Sequence, residues 1–468
     1  MEVMSKYEPV SAEVVAALQT ALGAEYVKTD AETLEKYKTD EETDPRYHHL
    51  PEVVVWPGST EEVAAVMKIA NRYNVPVTPR SAGTSVSCGA IPVYGGIVLL
   101  LERMDKIEEL NTEGMYMVVE AGARTVEIQE KANAAGFLYA GDPCSADSCL
   151  IGGNIATNAG GNKAVRYGTT RDQVYAIEAV TPTGDIVNVG ARLKKKSTGY
   201  CLEQLIMGSE GTLGIITKAT LKLLPLCPYK LDLLAIFTDL DKAVGLVPNL
   251  IKAGLNPTSV EFMDNAFVRS SSDYCELKLP HYEDGSYVIV TVETFNEDEL
   301  ESKMEQLDEI CSASGATDVL EADDRVWKLR RNCLESTRVL SLVSTSDDLV
   351  VPVDQIANCI RHLTKVAENY SFKLFTLAHA GDGNLHFQIL KGEMSDEQWE
   401  DEVSRFHAEA YPYVYSLGGR LSGEHGIGAK KVEAMEKYTE PVEMKMMKEI
   451  KRALDPKNIL NPGKVFNA

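Results

Sequence analysis

Residues 51–85, PEVVVWPGSTEEVAAVMKIANRYNVPVTPRSAGTS, constrain the fold more than any other stretch. Val53 to Trp56 is an apolar run of strand length. Ser59 and Glu62 have the spacing of a capping box, in which each side chain takes a backbone N–H of the other's end of the first turn. Val63, Val66, Met67 and Ala70 follow at helical spacing. Asn74 is a residue type that ends helices. Val75 to Pro79 is a second strand, and it runs into a loop of small residues. The order is strand, helix, strand, loop, so a mixed helix-and-strand protein is expected.

The same pattern continues. GGIVLLLERMDKI and MYMVVEAGA give further strands and TVEIQEKANAAGF an amphipathic helix, while QVYAIEAVTPTGDIVNVG reads as a hairpin turning at Pro182, Thr183 and Gly184. LLPLCPYK places two prolines within four residues and marks a boundary near residue 225. Beyond it, SYVIVTVETF, KLFTLAHA and NLHFQIL read as strands. NEDELESKMEQLDEICSASG is a helix ending at Gly315, and SDEQWEDEVSRFHAEAYPYVYSLGG is another, interrupted near Pro412. At 468 residues the chain exceeds one ordinary core, so two or more domains are expected.

Composition excludes some classes. A formal net charge of −23 argues against nucleic acid, whose phosphates this surface would repel. The nine cysteines are scattered, without CxxC, and Cys144 and Cys149 are the closest pair; neither a zinc ribbon nor an iron–sulfur site is suggested. Scattered thiols suit a reducing compartment. The N-terminal MEVMSKYEPVSAEVVAAL lacks the apolar core of a signal peptide, and the longest apolar runs are too short to span a bilayer. A cytoplasmic protein is expected.

Three small-residue loops carry the first functional signal: PRSAGTS (79–85), IGGNIATNAGGNKAVRYG (151–168) and MGSEGTLGII (207–216). Glycine lets backbone N–H groups approach phosphate oxygens without a Cβ in the way, and serine or threonine hydroxyls add donors. Any one loop is also what an ordinary turn needs. None matches G-x-G-x-x-G or G-x-x-x-x-G-K-[ST]. Taken together and in this order, the loops resemble the FAD-binding domain of the vanillyl-alcohol-oxidase type. The resemblance implies an α+β fold: a two-part FAD-binding domain over residues 1–225, an α+β substrate or cap domain with an antiparallel sheet over 226–420, and a C-terminal segment, 421–468, returning to the FAD domain. It implies that Ser81, Ala82, Gly83, Thr84 and Ser85 contact the pyrophosphate. Pro143, Gly152, Gly153, Asn158 and Gly161 would line the flavin and ribityl chain, and Glu210, Gly211 and Ile216 would hold the adenosine side. Some members tether FAD through a histidine or a cysteine. SAGTSVSCGA has no histidine, and neither Cys144 nor Cys149 sits at the tethering position, so non-covalent FAD is expected.

The second signal is HAGDGNLHF, residues 379–387. Asp-Gly is a type I′ turn dipeptide, and strand-like runs flank it. With Asp382 and Gly383 as the two central residues, Gly381 pairs with Asn384, Ala380 with Leu385 and His379 with His386. Directly opposed residues share a face, with Cβ atoms about 4.5–5.5 Å apart, close enough for two imidazoles to bind one ion. Two histidines beside a turn are more often plain hairpin residues. GRLSGEHGIG offers Glu424 as a third ligand, beside His425, and two histidines with a carboxylate leave open positions on Zn²⁺, Fe²⁺ or Mn²⁺.

HAGDGNLH, SGEHGIG and the final LDPKNILNPGKVF resemble motifs of the FAD-linked 2-hydroxyacid dehydrogenases, the group of D-lactate dehydrogenase, the glycolate oxidase flavin subunit and D-2-hydroxyglutarate dehydrogenase. The resemblance spans residues 50 to 466. It implies that His379, His386 and Glu424 bind a divalent metal and that His425 is the general base. Asn384 would support the pocket or contact substrate, and Asn461 would lie near the flavin. Arg330, in VWKLRRNCLES, would pair with the substrate carboxylate, a task its planar fork suits; the alternative for Arg330 is a surface helix charge. The 2-hydroxyglutarate enzymes carry a lysine before their VP strand, and STSDDLVVPVD has Ser346 there, which disfavours a dicarboxylate. The implied activity is oxidation of a small D-2-hydroxy acid, D-lactate first, with electrons leaving to a partner such as an electron-transfer flavoprotein or an iron–sulfur subunit. The alternatives are glycolate or D-2-hydroxyglutarate as substrate, a metal-free flavin oxidase of another alcohol, or a non-catalytic flavin electron-transfer subunit.

Overall fold

The computed structural model describes residues 6–42 and 44–468. Residues 1–5, part of the acidic N-terminal segment, and residue 43 lie outside them. The chain forms two compact units. The first comprises the described residues up to Gly160, then Thr169–Leu226 and Glu424–Ala468; the second comprises Gly161–Gly168 and Cys227–Gly423.

The first unit contains two larger sheets and a two-stranded ribbon that pairs Phe137–Leu138 with Leu224–Pro225. One has the order β1 (Val27–Lys28), β2 (Val53–Val55), β4 (Ile97–Leu100), β3 (Val77–Arg80), with β2 and β3 both parallel to β4. Helix α1 (Thr60–Tyr73) connects β2 to β3. Its start keeps half of the expected capping box: Glu62 N–H donates to the N-cap Ser59 Oγ at 3.3 Å, while the Glu62 carboxylate takes the N–H of Gly58, one residue before the cap, at 2.7 Å. Its end is Asn74, left-handed at φ 56°. Between them Val63, Val66, Met67 and Ala70 are fully buried against β2, β3 and β4, in a core that also takes in Ile459 and Leu460.

The second sheet is antiparallel, in the order β5 (Ile107–Asn111), β6 (Tyr116–Glu120), β9 (Ile215–Lys222), β7 (Val174–Val180), β8 (Ile186–Gly190). Helix α2 (Ile151–Thr157) packs on it through Ile151 and Ile155. The residues after Glu424 close the unit. Val77 N–H donates to Ile459 O at 2.9 Å, and Asn461 N–H donates to Val77 O at 2.7 Å, so the C-terminal stretch adds one parallel bridge to the edge strand β3.

The second unit is built on a seven-stranded antiparallel sheet, ordered β13 (Asp318–Glu321), β10 (Tyr229–Phe237), β12 (Ser286–Thr294), β11 (Ser259–Met263), β15 (Lys373–His379), β16 (Asn384–Leu390), β14 (Ser344–Val350). The registers put Leu234 and Ile236, Tyr287 and Ile289, Glu261 and Met263, Phe375, Leu377 and His379, and Asn384, His386 and Gln388 on one face. Ser346 and Asp348 share it. At the β10 and β12 side this face is an apolar core with helices α3 (Asn265–Tyr274) and α4 (Asp324–Arg331); toward β14 it turns polar. Helix α5 (Cys333–Leu340) follows α4 directly.

Two features differ from the sequence reading. Gly161–Gly168 belongs to the second unit, where Arg166 Nη1 donates to Thr258 Oγ1 and to Glu293 O, both at 3.0 Å. Helix α6 (Asp396–Ser416) is not interrupted at Pro412. Proline withholds one helical N–H, but Phe406, Ala410, Tyr411 and Val414 are buried on both sides of it, and this packing carries the helix through.

Candidate functional site

In the first unit the glycine loops and the C-terminal segment converge. A Cβ on Gly153 would lie 3.1 Å from Ser81 Cβ, which puts the second loop against the first. A Cβ on Gly211 would lie 3.0 Å from Pro79 Cγ and 3.8 Å from Asn461 Nδ2, which brings the third loop and the C-terminal segment to the same place. Asn461 Nδ2 donates to Glu210 O at 2.7 Å. Gly152 packs closely on the residue after β6, its absent Cβ 2.7 Å from Ala121 Cβ. Asn158 ends α2 in the left-handed region at φ 54°, and its Oδ1 accepts from Thr169 Oγ1 and from Arg171 N–H. Pro143 and Ile216 are buried nearby in the chain, in a turn and in β9. Of the residues proposed for the flavin side, Gly161 alone falls in the second unit.

These residues fit a large phosphate-bearing cofactor. Among the described residues, the N–H groups of Ala82, Gly83 and Thr84 donate no hydrogen bond within the protein, although the loop is half-buried. Buried Asn461 Oδ1 and Ser209 Oγ likewise have no partner in the protein. Buried polar groups are nearly always paired, so such a set marks a place made for a polar ligand.

The segment SGEHGIG crosses from one unit to the other between Gly423 and Glu424. In the first unit, Glu424 Oε2 lies against Gly160, 2.8 Å from where a Cβ would be, and His425 Nε2 is 3.9 Å from Glu424 Oε1. Ser87 Oγ donates to His425 O at 2.9 Å. Ile427 N–H and Gly428 N–H donate to Glu210 Oε1 and Oε2, both at 2.7 Å. Burial raises the pKa of Glu210, against the pull of these two amides.

In the second unit the hairpin register corrects the sequence reading. His379 pairs with Asn384, Ala378 with Leu385 and Leu377 with His386. The loop is four residues, Ala380–Gly383, rather than two. Its glycines are bonded to the strands on either side: Gly381 N–H donates to Val260 O at 3.2 Å, and Val351 N–H donates to Gly383 O at 3.0 Å. Those bonds open the turn. The register moves by two residues, which preserves the face of every side chain. His379 and His386 are therefore diagonal neighbours on one face instead of direct partners, and their ring centroids lie 5.2 Å apart at 88°.

Buried carboxylates hold the His379 ring and the Asn384 amide, and one of them lies beside the His386 ring. His379 Nδ1 donates to Glu261, 2.8 Å from Oε1 and 3.0 Å from Oε2. A neutral imidazole that donates from Nδ1 carries its lone pair on Nε2, the arrangement of a metal-ligating histidine with its supporting carboxylate. Glu261 is also the partner of Arg330, whose Nε and Nη2 donate to Oε2 at 3.0 and 2.6 Å. Arg330 is buried, so it is not a surface helix charge. Burial alone would raise the Glu261 pKa, but His379 and Arg330 together bring it below its ordinary value. Asp348 Oδ1 lies 3.8 Å from His386 Nδ1 and accepts from Asn384 Nδ2 at 2.6 Å. Asn384 Nδ2 also donates to Leu349 O. Asp348 Oδ2 accepts from Ser422 Oγ and from Gly423 N–H. Two imidazoles with carboxylates on their Nδ1 sides are a donor set suited to a divalent ion of the zinc, iron or manganese kind. Sequence reasoning missed Glu261, Asp348 and the side-chain role of Glu210.

Two family models match the chain: "FAD binding domain" over residues 51–190 and "FAD linked oxidases, C-terminal domain" over 230–465. A D-lactate dehydrogenase of Anaerostipes hadrus is 37% identical over 425 residues, covering 89% of each chain. The glycolate oxidase subunit GlcD of Bacillus subtilis is 35% identical over 427 residues, 90% of each. Among solved structures, p-cresol methylhydroxylase matches with a TM-score of 0.82 at 17% identity, covering 97% of this chain and 96% of that one; this likeness concerns the fold. The protein is thus a two-domain FAD-linked oxidoreductase. Within that class it belongs to the 2-hydroxyacid dehydrogenase family of D-lactate dehydrogenases and glycolate oxidase flavin subunits. No helix of the described residues is long and apolar enough to cross a membrane.

Proposed function

We propose that the chain oxidises a small D-2-hydroxy acid, D-lactate before glycolate, to the 2-keto acid, using non-covalent FAD and a divalent metal held by His379, His386 and Glu424. The observation that carries the reading is the buried Arg330–Glu261–His379 chain beside His386, since a charged network of this kind inside an apolar sheet needs a task. FAD, when bound, supplies the acceptor for the hydride leaving C2 of the substrate. The metal, when bound, supplies Lewis-acid polarisation of the substrate hydroxyl. His425 takes the hydroxyl proton, a transfer an imidazole suits near neutral pH. Arg330 pairs with the substrate carboxylate. Asn384, tied to Asp348, supports the pocket wall. Electrons then leave to a partner such as an electron-transfer flavoprotein or an iron–sulfur subunit. A cytoplasmic location completes the reading.

The test is anaerobic bleaching of the flavin by a panel of D- and L-2-hydroxy acids, with and without chelator. D-Lactate is expected to bleach it fastest and chelator to stop it. Bleaching that ignores chelator would exclude the metal. No bleaching by any 2-hydroxy acid would favour a non-catalytic electron-transfer subunit. Stopped-flow reoxidation by air, against reoxidation by purified electron-transfer flavoprotein, identifies the acceptor.

A further inference from the structure

Glu210 stands in the third glycine loop with φ 53°, in the left-handed region that an unbranched acidic residue seldom occupies. A glycine or asparagine would sit there with less strain. Such strain persists where the surroundings over-determine it, and at Glu210 they do. Its N–H donates to Ala156 O at 2.8 Å, its carbonyl accepts from Asn461 Nδ2, and its carboxylate takes the N–H groups of Ile427 and Gly428, one on each oxygen. Gly426, at φ 83°, gives the carboxylate room: a Cβ there would come within 2.9 Å of Glu210 Cδ. Ser87 holds the other side of the same segment. Its Oγ donates to His425 O, and its carbonyl accepts from Ala429 N–H at 3.1 Å. A Cβ on Gly428 would strike Ser87 O. The backbone around His425 is thus gripped from two directions, and the Glu210 grip depends on a side chain that the local backbone disfavours.

We propose that Glu210 is a positioning residue for His425: its carboxylate fixes the Gly426–Gly428 backbone and thereby the imidazole that precedes it. The inference rests on the reading of His425 as the base. Its side chain serves the catalytic segment, while its carbonyl and the neighbouring Gly211 remain part of the cofactor loop. A residue kept for the loop conformation alone, or for the cofactor, would behave differently on substitution.

Glu210→Asn separates these roles, because asparagine relieves the left-handed strain yet is too short to reach both amides. In the FAD-loaded protein the variant is expected to keep its flavin content and to melt no lower than the wild type. Flavin reduction at saturating hydroxy acid should fall roughly 10–100-fold, the scale set by a misplaced catalytic group, with KM little changed. Hydrogen exchange at the Ile427 and Gly428 amides should quicken, while the sheets keep their protection. Glu210→Gln, which retains one acceptor oxygen, should lose less activity. Wild-type reduction rates in Glu210→Asn, unchanged exchange at both amides, or loss of flavin in step with loss of activity would each overturn the proposal. His425→Ala is the control for the reading beneath it: wild-type flavin reduction there removes His425 as base, whatever Glu210→Asn does.

Discussion

Replacing Glu261 by glutamine tests the buried network of the second unit. The carboxylate is fully buried and serves four short contacts, two to His379 Nδ1 and two to the Arg330 guanidinium, which is itself buried. Glutamine has one acceptor oxygen, so either Arg330 or His379 faces an NH₂ group that cannot accept, and the guanidinium loses its counter-charge. Breaking a buried pair from one side costs about 3–5 kcal/mol. In a unit of about 200 residues, 1 kcal/mol shifts the melting temperature by about 2–4 °C, so a loss of about 6–20 °C is expected at neutral pH. The pH dependence has a defined sign. His379 and Arg330 outweigh burial and hold the folded-state pKa of Glu261 below its unfolded value. Its contribution is therefore complete above the ordinary glutamate range, about pH 4.3, and is lost as pH falls through the folded pKa. The gap between wild type and Glu261→Gln should close on acidification. Replacing both partners, Glu261→Leu with Arg330→Met, should cost less than either single change, because no charge is left unpaired. Thermal unfolding of Glu261→Gln, of the two single changes and of the double change against pH is the assay. A single variant that melts within about 1 °C of wild type, or a gap that persists in acid, would refute the reasoning.

Two further outcomes follow from the geometry. Gly383→Ala should destabilise the protein by about 3 kcal/mol or more, since the new Cβ would lie 2.0 Å from Val351 O and φ is 87°; an unchanged urea midpoint would contradict the four-residue loop. Acid precipitation should release all the flavin into the supernatant, because Cys149 Sγ is engaged with Thr125 Oγ1 and the first loop has no histidine; flavin in the pellet would establish a tether.

Local rules carried much of the fold. Ser59, Glu62 and Asn74 mark α1 because capping is a matter of a few adjacent residues, and the alternation in KLFTLAHA and NLHFQIL marks strands for the same reason. The hairpin register was misread because the bonds that widen the loop come from Val260 and Val351, distant in sequence. Pro412 was misread because packing outweighs one missing hydrogen bond. At the site, the paired histidines were legible from their spacing, while their carboxylate partners were not. One signal was present: Glu261 sits in the apolar run TSVEFM, and a carboxylate there is buried only with a partner. Glu210 was hidden inside a glycine motif that drew attention to its backbone.

The discontinuity of the first unit sets an order of assembly. Its four-stranded sheet is emerging from the ribosome within the first hundred residues, yet the edge strand at Val77 waits for Ile459 and Asn461 to supply its bridge. Some two hundred residues of the second unit are translated in between. The nucleotide-binding half therefore begins first and finishes afterwards, with an open sheet edge in the interval. An unpaired edge is the part of a nascent chain that neighbouring chains can pair with, so the yield of this protein at high expression should depend on how quickly residues 424–468 return to cover it.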